Sequence, residues 1–125
     1  MADVSGDARA SIKWWRKAAR AGDAEATWRH AEVLYKGCRE AEFSRDSEEA
    51  VVWISRAYKL HEVAGSKRAD EVRGKCAIML GYLYLDGDGT RADNGEAVKW
   101  FKTASQLGMK EAQRTLGWLY NTGQY

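Results

Sequence analysis

The sequence has no proline, only two cysteines in 125 residues and little net charge. Without proline the chain has no polyproline linker, and two cysteines cannot build a disulfide scaffold. The formal charge of +2, from 20 basic and 18 acidic residues, argues against a nucleic-acid platform, which usually has a larger basic excess. The length fits a single domain over residues 1–125.

Long apolar runs are also absent. None approaches the roughly 20 residues that a membrane-spanning helix needs. The N-terminal stretch MADVSGDARAS has neither the basic region nor the apolar region of a secretory signal. These absences predict a cytoplasmic protein without a membrane partner.

Aromatic residues, by contrast, are abundant and recur at regular positions. Three segments align without gaps, at residues 11–22, 50–61 and 97–108. Two of their shared positions are filled by Trp14, Trp53 and Trp100, and by Trp15, Ile54 and Phe101. The apolar offsets of three, four and seven residues place these positions on one helix face, so we predict that all three segments contribute tryptophan to the core.

A second type of segment also occurs three times, at residues 24–37, 74–87 and 110–123. Each copy ends in glycine, which is typical of a left-handed helix cap. Gly81 and Gly117 lie inside the later copies, where glycine lowers helix stability by about 1 kcal/mol relative to alanine. We therefore predict that another helix packs closely at both glycines.

The alternating segments predict an all-α chain of six helices. These helices cover residues 11–20, 24–36, 47–60, 69–85, 94–107 and 110–122. Asp46 and Asp93 each precede a glutamate by three residues and are predicted to cap the third and fifth helices. An insert at residues 62–73 lengthens one connection, and its Gly65-Ser66 pair predicts a mobile, protruding turn at residues 63–67.

The second half of the chain contains the runs LGYLYLDGDG, AVKWFKTASQLG and EAQRTLGWLYNTG. In order and spacing these runs resemble the Sel1-like repeat family, a relative of the tetratricopeptide repeats. The first half is less similar, because His30-Ala31 replaces Leu-Gly and His61 replaces a hairpin glycine. The resemblance covers residues 11–123. It implies a right-handed superhelical α/α solenoid of three helical hairpins, acting as a non-enzymatic scaffold or adaptor for a protein or peptide partner.

The resemblance also implies a binding surface. In solenoids related to this family the first helix of each pair lines the concave surface, so a stripe on the second segment type would form a groove floor. The stripe contains Trp28, Glu32, Tyr35, Ile78, Tyr82, Leu85, Arg114, Trp118 and Asn121. Aromatic side chains there suit interface anchors. The alternative is that Tyr82 and Trp118 simply pack between neighbouring helices.

The last helix predicts a second surface. Leu119 and Tyr120 are expected to stay uncovered, because the family covers these positions with a following tryptophan-bearing helix. An exposed apolar stripe marks an interaction site. We therefore expect either that the chain is part of a longer solenoid, or that this C-terminal face packs on another subunit or partner.

Signals for metal binding or catalysis are weak. A calcium loop starting at Asp86 needs glycine at its sixth position and glutamate at its twelfth, but Arg91 and Ala97 stand there. Cys76 replaces an alanine and is predicted to be a small buried residue, whereas Cys38 is predicted to be exposed. No catalytic motif or zinc spacing is found, so neither an enzyme nor a cofactor is predicted.

Two other functional classes stay open. One is an enzyme whose site lies in the groove or in the insert. The other is a nucleic-acid-binding helical repeat that uses the first helix, where a basic stripe lies beside two tryptophans. The stripe consists of Lys13, Arg16, Lys17 and Arg20 and is followed by Arg29.

Overall fold

The computed structural model describes residues 4–39, 41–63 and 65–123. Within these ranges it contains six α-helices and no β-strand. The helices are α1 (Val4–Arg20), α2 (Ala24–Lys36), α3 (Ser47–Glu62), α4 (Lys67–Asp86), α5 (Asn94–Gln106) and α6 (Lys110–Thr122). An isolated bridge joins Cys38 to Phe43. The all-α prediction is confirmed.

Polar side chains fix the starts of four helices. Asp46 Oδ1 accepts the Glu49 backbone N–H at 3.1 Å, and Asp93 Oδ1 accepts the Glu96 N–H at 3.0 Å, as predicted. Asp23 caps α2 in the same way. Such a cap satisfies a backbone donor that has no partner within the helix.

The observed bounds match the predicted ones for α2 and α6, and α3, α4 and α5 end within two residues of their predicted ends. Two helices start earlier than predicted. The helix α1 begins at Val4 instead of residue 11. The helix α4 begins at Lys67 instead of residue 69, because the Ser66 hydroxyl accepts the Ala69 N–H at 3.0 Å and caps the helix there. As predicted, α4 is the longest helix, with 20 residues.

The helices pack in chain order, each against the helix before it and the helix after it. This arrangement is an α/α solenoid. One buried cluster draws its side chains from α1 to α4 and is centred on Trp28, Ile54 and Leu80. A second cluster draws its side chains from α4 to α6 and surrounds Phe101. Trp100 packs against both clusters and joins them.

The three equivalent tryptophans differ in burial. Trp53 is buried and Trp100 is half-buried, whereas Trp14 is 65% exposed. The prediction of a core position is therefore wrong for Trp14. The reason is that, over the described residues, α1 has no preceding helix to cover that side.

The two internal glycines also differ. A Cβ atom on Gly81 would lie 2.7 Å from Phe101 Cζ, so α5 does pack closely there, as predicted. A Cβ atom on Gly117 would have no heavy atom within 4 Å. The prediction of close packing is wrong at Gly117, because no described helix follows α6.

The loop after α4 packs closely on the fold, whereas the insert before α4 is exposed at Val63. At Gly89, where φ is +76°, a side chain would collide with the backbone of Ser47 at the start of α3. Arg45 Nη2, in the connection before α3, also contacts Asp88 Oδ2 at 2.8 Å, so the loop after α4 is fastened to the connection that leads into α3. In the insert, Val63 is 87% exposed and Ala64 lies outside the described residues.

Candidate functional site

A groove of about 370 Å³ lies between α2, α4 and the start of α6. Its floor is apolar and consists of Ile78 and Met79 from α4, with Met109 from the α5–α6 connection. Four of the residues that the sequence assigned to a groove line it, namely Glu32, Tyr35, Ile78 and Tyr82.

Tyr82 both lines the groove and holds helices together. Its hydroxyl donates to Glu111 Oε1 at 3.2 Å and lies 3.2 Å from Thr115 Oγ1, which fastens α4 to α6. Its ring meets Phe101 of α5 edge-on, with the ring centres 5.1 Å apart. Tyr82 therefore packs between neighbouring helices, as the alternative stated, and contacts to two other helices hold this wall of the groove in position.

Tyr35 forms the opposite wall at the end of α2. The Arg45 guanidinium lies 5.8 Å from the centre of its ring. Burial raises the pKa of the Tyr35 hydroxyl, and the charge of Arg45 opposes that shift only in part. The side chain therefore stays a neutral phenol with one donor hydrogen near neutral pH.

Charges of both signs surround the apolar floor. Glu32 Oε2 contacts Lys36 Nζ at 3.5 Å, and the other oxygen of Glu32 lies 3.9 Å from Arg29 Nη1. Lys75 and Glu111 add one charge of each sign on the other sides. An apolar floor inside a mixed polar rim suits a peptide that inserts an apolar side chain and makes polar contacts on either side.

Two of the predicted groove residues point elsewhere. Trp28 is 1% exposed and packs in the first cluster, so its assignment to a groove surface is wrong. The large indole fills the space between the first helices, whereas Ile78 at the same repeat position is shorter and lies at the groove floor. Leu85 is half-buried against the second cluster and does not line the groove.

The three predicted groove residues of α6 lie outside the groove. Arg114, Trp118 and Asn121 are all exposed, and Trp118 is 56% exposed. Arg114 lines a separate open depression of about 550 Å³ together with Lys110 and Gln113. The stripe predicted from the repeat is therefore divided into a groove on α2 and α4 and an exposed face on α6.

Of the two residues expected to stay uncovered on the C-terminal face, the structure exposes only one. Tyr120 is 42% exposed, but Leu119 is completely buried in the second cluster. Leu119 occupies the repeat position of Leu83, which packs toward the helices that precede it. The sequence-based prediction for Leu119 is wrong because this position faces backward along the solenoid and needs no following helix.

Sequence reasoning missed several groove residues. These are Lys36, Lys75, Met79, Met109 and Glu111. Lys75 and Met79 lie on the same face of α4 as the predicted groove residue Tyr82, so helix spacing could have revealed these two residues. Met109 could not be found in this way, because it reaches the groove from a connection. A Cβ atom on Gly74 would lie 2.9 Å from the Met109 sulfur, so glycine makes room for it.

A second depression, of about 540 Å³, lies between α1 and α3. Trp53 forms part of its floor, and the Arg56 guanidinium lies 4.6 Å from the centre of the indole ring. Arg20 and Lys59 also line it, and no acidic residue does within the described part of the chain. The basic stripe predicted on α1 is exposed. Arg56 and Lys59 of α3 extend this basic surface across the depression.

His30 lies beneath a smaller pocket of about 290 Å³ next to that depression. Its ring is buried edge-on against Trp53, and its Nδ1 atom has no hydrogen-bond partner within the described residues. The pKa of His30 is lowered, first by burial and then by the charges of Arg16 and Arg20, while Glu49 opposes the shift. The imidazole is therefore held in its neutral form.

Neither cysteine is fully exposed. Cys76 is buried, as predicted, and burial, with a smaller effect of Glu32, raises the pKa of its thiol to about 12. Cys38 is half-buried, so the prediction that it is exposed is wrong; its backbone pairs with Phe43. Within the described ranges no three potential metal ligands cluster. None of the described helices is long and apolar enough to cross a membrane.

Comparison with protein families gives a consistent match. The family model named Sel1 repeat matches residues 2–23, 24–61 and 74–109. These stretches together contain most of the chain. No curated protein sequence matches the chain significantly.

Solved structures share the same arrangement of helices. A Sel1 repeat protein from Oxalobacter formigenes is similar with a TM-score of 0.68 and 28% identity, over 92% of this chain and 41% of that one. A protective antigen of uropathogenic Escherichia coli strains, displaying an SLR fold, has a TM-score of 0.66 and 27% identity, over 90% of this chain and 21% of its own. This chain therefore spans less than half the length of either protein.

A third structure supports the fold alone. Cysteine rich protein B of Helicobacter pylori is similar with a TM-score of 0.61 and 21% identity. The match covers 84% of this chain and 68% of that one.

Proposed function

Because the chain belongs to the Sel1 repeat family, we propose that it is a non-enzymatic scaffold that binds a peptide segment of a partner protein in the groove between α2 and α4. Proteins of this family generally mediate protein–protein interaction. The observation that carries the proposal is the apolar floor of Ile78, Met79 and Met109 inside a rim of mixed charge.

The rigidity of the walls supports binding to a preformed surface. Tyr82 is fixed by contacts to α5 and α6, and Tyr35 is half-buried beside Arg45. A surface that does not have to be ordered on binding loses less affinity to conformational entropy. The expected ligand is a short segment with one apolar anchor and polar neighbours of either charge.

A displayed library of random peptides, selected on the 125-residue chain, tests this proposal. Enriched peptides should share an apolar anchor, and their affinity should fall at least about threefold in Lys75→Glu, a charge reversal on the groove rim. Lys59→Glu is the matched control, because it reverses an exposed charge on the other depression. The proposal is wrong if no peptide is enriched, or if only Lys59→Glu weakens binding.

The basic depression between α1 and α3 favours a second candidate function, nucleic-acid binding. Its lining contains Arg20, Arg56 and Lys59 beside an aromatic ring. Titration with a single-stranded oligonucleotide at several salt concentrations tests it. Binding that weakens steeply with salt and is lost in Arg56→Glu would favour this function over peptide binding. The near-neutral net charge makes the peptide the first choice.

A further inference from the structure

We propose that the pocket beside His30 binds a small zwitterion, a molecule that carries a carboxylate next to an ammonium group, as a free α-amino acid does. The pocket has a volume of about 290 Å³ and lies between α1, α2, α3 and the connection that joins α2 to α3. Its lining comes from three consecutive helices that pack on one another. It is separate from the peptide groove, and the proposal does not depend on that groove.

The buried imidazole is the first observation that points to a ligand. His30 is 4% exposed, and its Nδ1 atom has no hydrogen-bond partner within the described residues. Leu80 and Leu116 occupy the equivalent positions of the repeat, so packing there requires only an apolar side chain. A buried polar atom without a partner lowers the stability of the fold. A neutral imidazole offers one N–H donor and one acceptor nitrogen, and a bound polar ligand supplies the missing partner.

Two cationic side chains of α1 lie on one side of this ring. Arg16 and Arg20 both line the pocket, and after burial their charges are the next causes that lower the pKa of His30. Neither guanidinium forms an ion pair with an acidic residue in the described part of the chain. Because the two residues are four positions apart, they share a helix face. Guanidinium groups are the strongest side-chain donors to a carboxylate, so this side suits the anionic group of a ligand.

Two carboxylates lie on the other side of the pocket. Glu49 Oε2 accepts the indole N–H of Trp53 at 3.1 Å, and Asp46 Oδ1 accepts the backbone N–H of Glu49 at 3.1 Å. These hydrogen bonds hold both side chains in position. The second oxygen of each carboxylate accepts no hydrogen bond from the residues that the structure describes. This side therefore suits an ammonium group.

The charge balance selects a ligand with both signs. Two guanidinium and two carboxylate groups line the pocket, so the lining has no net charge. A phosphate would be repelled by Glu49 and Asp46, and an amine without a carboxylate would be repelled by the two arginines. The rest of the lining includes Leu34, Phe43 and Trp53, which favours an apolar side chain on the ligand. The volume lies just below the range of about 300–1,000 Å³ that is usual for drug-sized ligands, which fits an amino acid.

Two-dimensional NMR of the isotope-labelled chain tests the proposal, with the common free L-amino acids as probes. The indole N–H of Trp53 is the reporter, because its acceptor Glu49 is one of the proposed ammonium ligands. Its resonance is assigned by its loss in Trp53→Phe. At least one apolar amino acid should shift this resonance and reach saturation below about 10 mM. The amide of that amino acid lacks the carboxylate and its N-acetyl derivative lacks the ammonium group, so each should bind at least about tenfold more weakly.

Two variants remove the proposed contacts by introducing the residue that the next copy of the repeat has. Arg16→Ser installs the residue of position 55, and His30→Leu installs the residue of position 80. Each should weaken binding at least about tenfold. Lys17→Ser is the matched control, because Lys17 is an exposed cation next to Arg16 that does not line the pocket. It should bind like the unmodified chain. Circular dichroism checks the helix content, and Arg16→Ser alone decides the test if His30→Leu unfolds.

Three results would overturn the proposal. The first is that no amino acid shifts the Trp53 resonance at about 10 mM. The second is that the N-acetyl derivative or inorganic phosphate binds as tightly as the free amino acid, which would make the pocket a site for anions alone. The third is that Lys17→Ser weakens binding as much as Arg16→Ser does, which would place the bound molecule elsewhere on α1.

Discussion

Gly81 and Gly117 have one repeat position and two different surroundings, so the same substitution should act in opposite directions. Gly81→Ala drives a methyl group into the buried ring of Phe101 and should lower the free energy of unfolding by about 1–3 kcal/mol. Gly117→Ala meets open space and should raise it by about 1 kcal/mol. Urea unfolding at low protein concentration measures both. A destabilising Gly117→Ala would show that this face is already covered in the folded chain.

The three equivalent tryptophans form a series of decreasing burial. Trp53→Ala should cost about 3–5 kcal/mol, as expected for a buried large aromatic residue. Trp100 is half-buried, so Trp100→Ala should cost less than Trp53→Ala, and Trp14→Ala should cost less than about 1 kcal/mol. Equilibrium unfolding of the three variants gives the order. An equal loss at all three positions would contradict the burial seen here.

His30 makes stability depend on pH. The unfolded chain binds a proton at this side chain near pH 6.5, whereas burial lowers the pKa of the folded form. The contribution of His30 is therefore complete above about pH 6.5 and is lost as the pH falls toward the folded pKa. His30→Leu, which installs the residue found at the equivalent positions 80 and 116, should flatten this part of the pH profile. Urea unfolding between about pH 5 and pH 7 measures the slope, and an unchanged slope would exclude His30 as its source.

At the scale of the element, capping holds the insert in place. Ser66 starts α4 directly after the exposed turn, and Lys67 and Arg68 are exposed in its first turn. Ser66→Ala should cost about 1 kcal/mol and should accelerate tryptic cleavage after Lys67. Asp93→Ala is the control, because it removes an equivalent cap from α5.

Cleavage in Asp93→Ala should be no faster after Lys67 than in the unmodified chain. The unmodified chain itself should be cut first at Lys67 or Arg68, as the sequence predicts. A first cut elsewhere would show that Arg68 is protected, for instance by its contact with Glu25, where the nitrogen and oxygen lie 2.9 Å apart.

The sequence predicted the helices well because each carries its own signals. Two of the six helices, α2 and α6, have the predicted bounds, and the predicted caps Asp46 and Asp93 are observed. The start of α1 was missed because the predicted bound followed the alignment of the three repeats, which begins at residue 11. The sequence itself carried a signal, since Val4, Ala8 and Ile12 recur at a spacing of four residues. Local patterns are sufficient where the helix end is determined by neighbouring residues.

The site was predicted only in part, since repeat equivalence does not determine burial. Trp28 and Ile78 share a position, but the indole fills the core while the shorter side chain lies at the groove floor. Leu119 and Tyr120 are adjacent, yet one faces the previous helices and the other faces outward. These differences depend on which neighbouring helix is present and on side-chain size, and the repeat pattern contains neither.

At the scale of the whole molecule, the two buried clusters behave as one unit. Tyr84 and Trp100 each pack against both clusters. The loop at Gly89 further fastens the end of α4 to the start of α3. Loss of the C-terminal helices would therefore expose part of the first cluster, which favours a single cooperative unfolding transition.

The packing of each helix on its sequence neighbours also bears on how fast the chain folds. The main contacts join helices that follow one another along the chain, so no distant segments have to find each other first. The entropy lost in closing each loop is small, and chains with such local contacts fold in microseconds to milliseconds. Stopped-flow refolding followed by tryptophan fluorescence should end within roughly that time, without the slow phase that proline isomerisation adds, since the sequence has no proline.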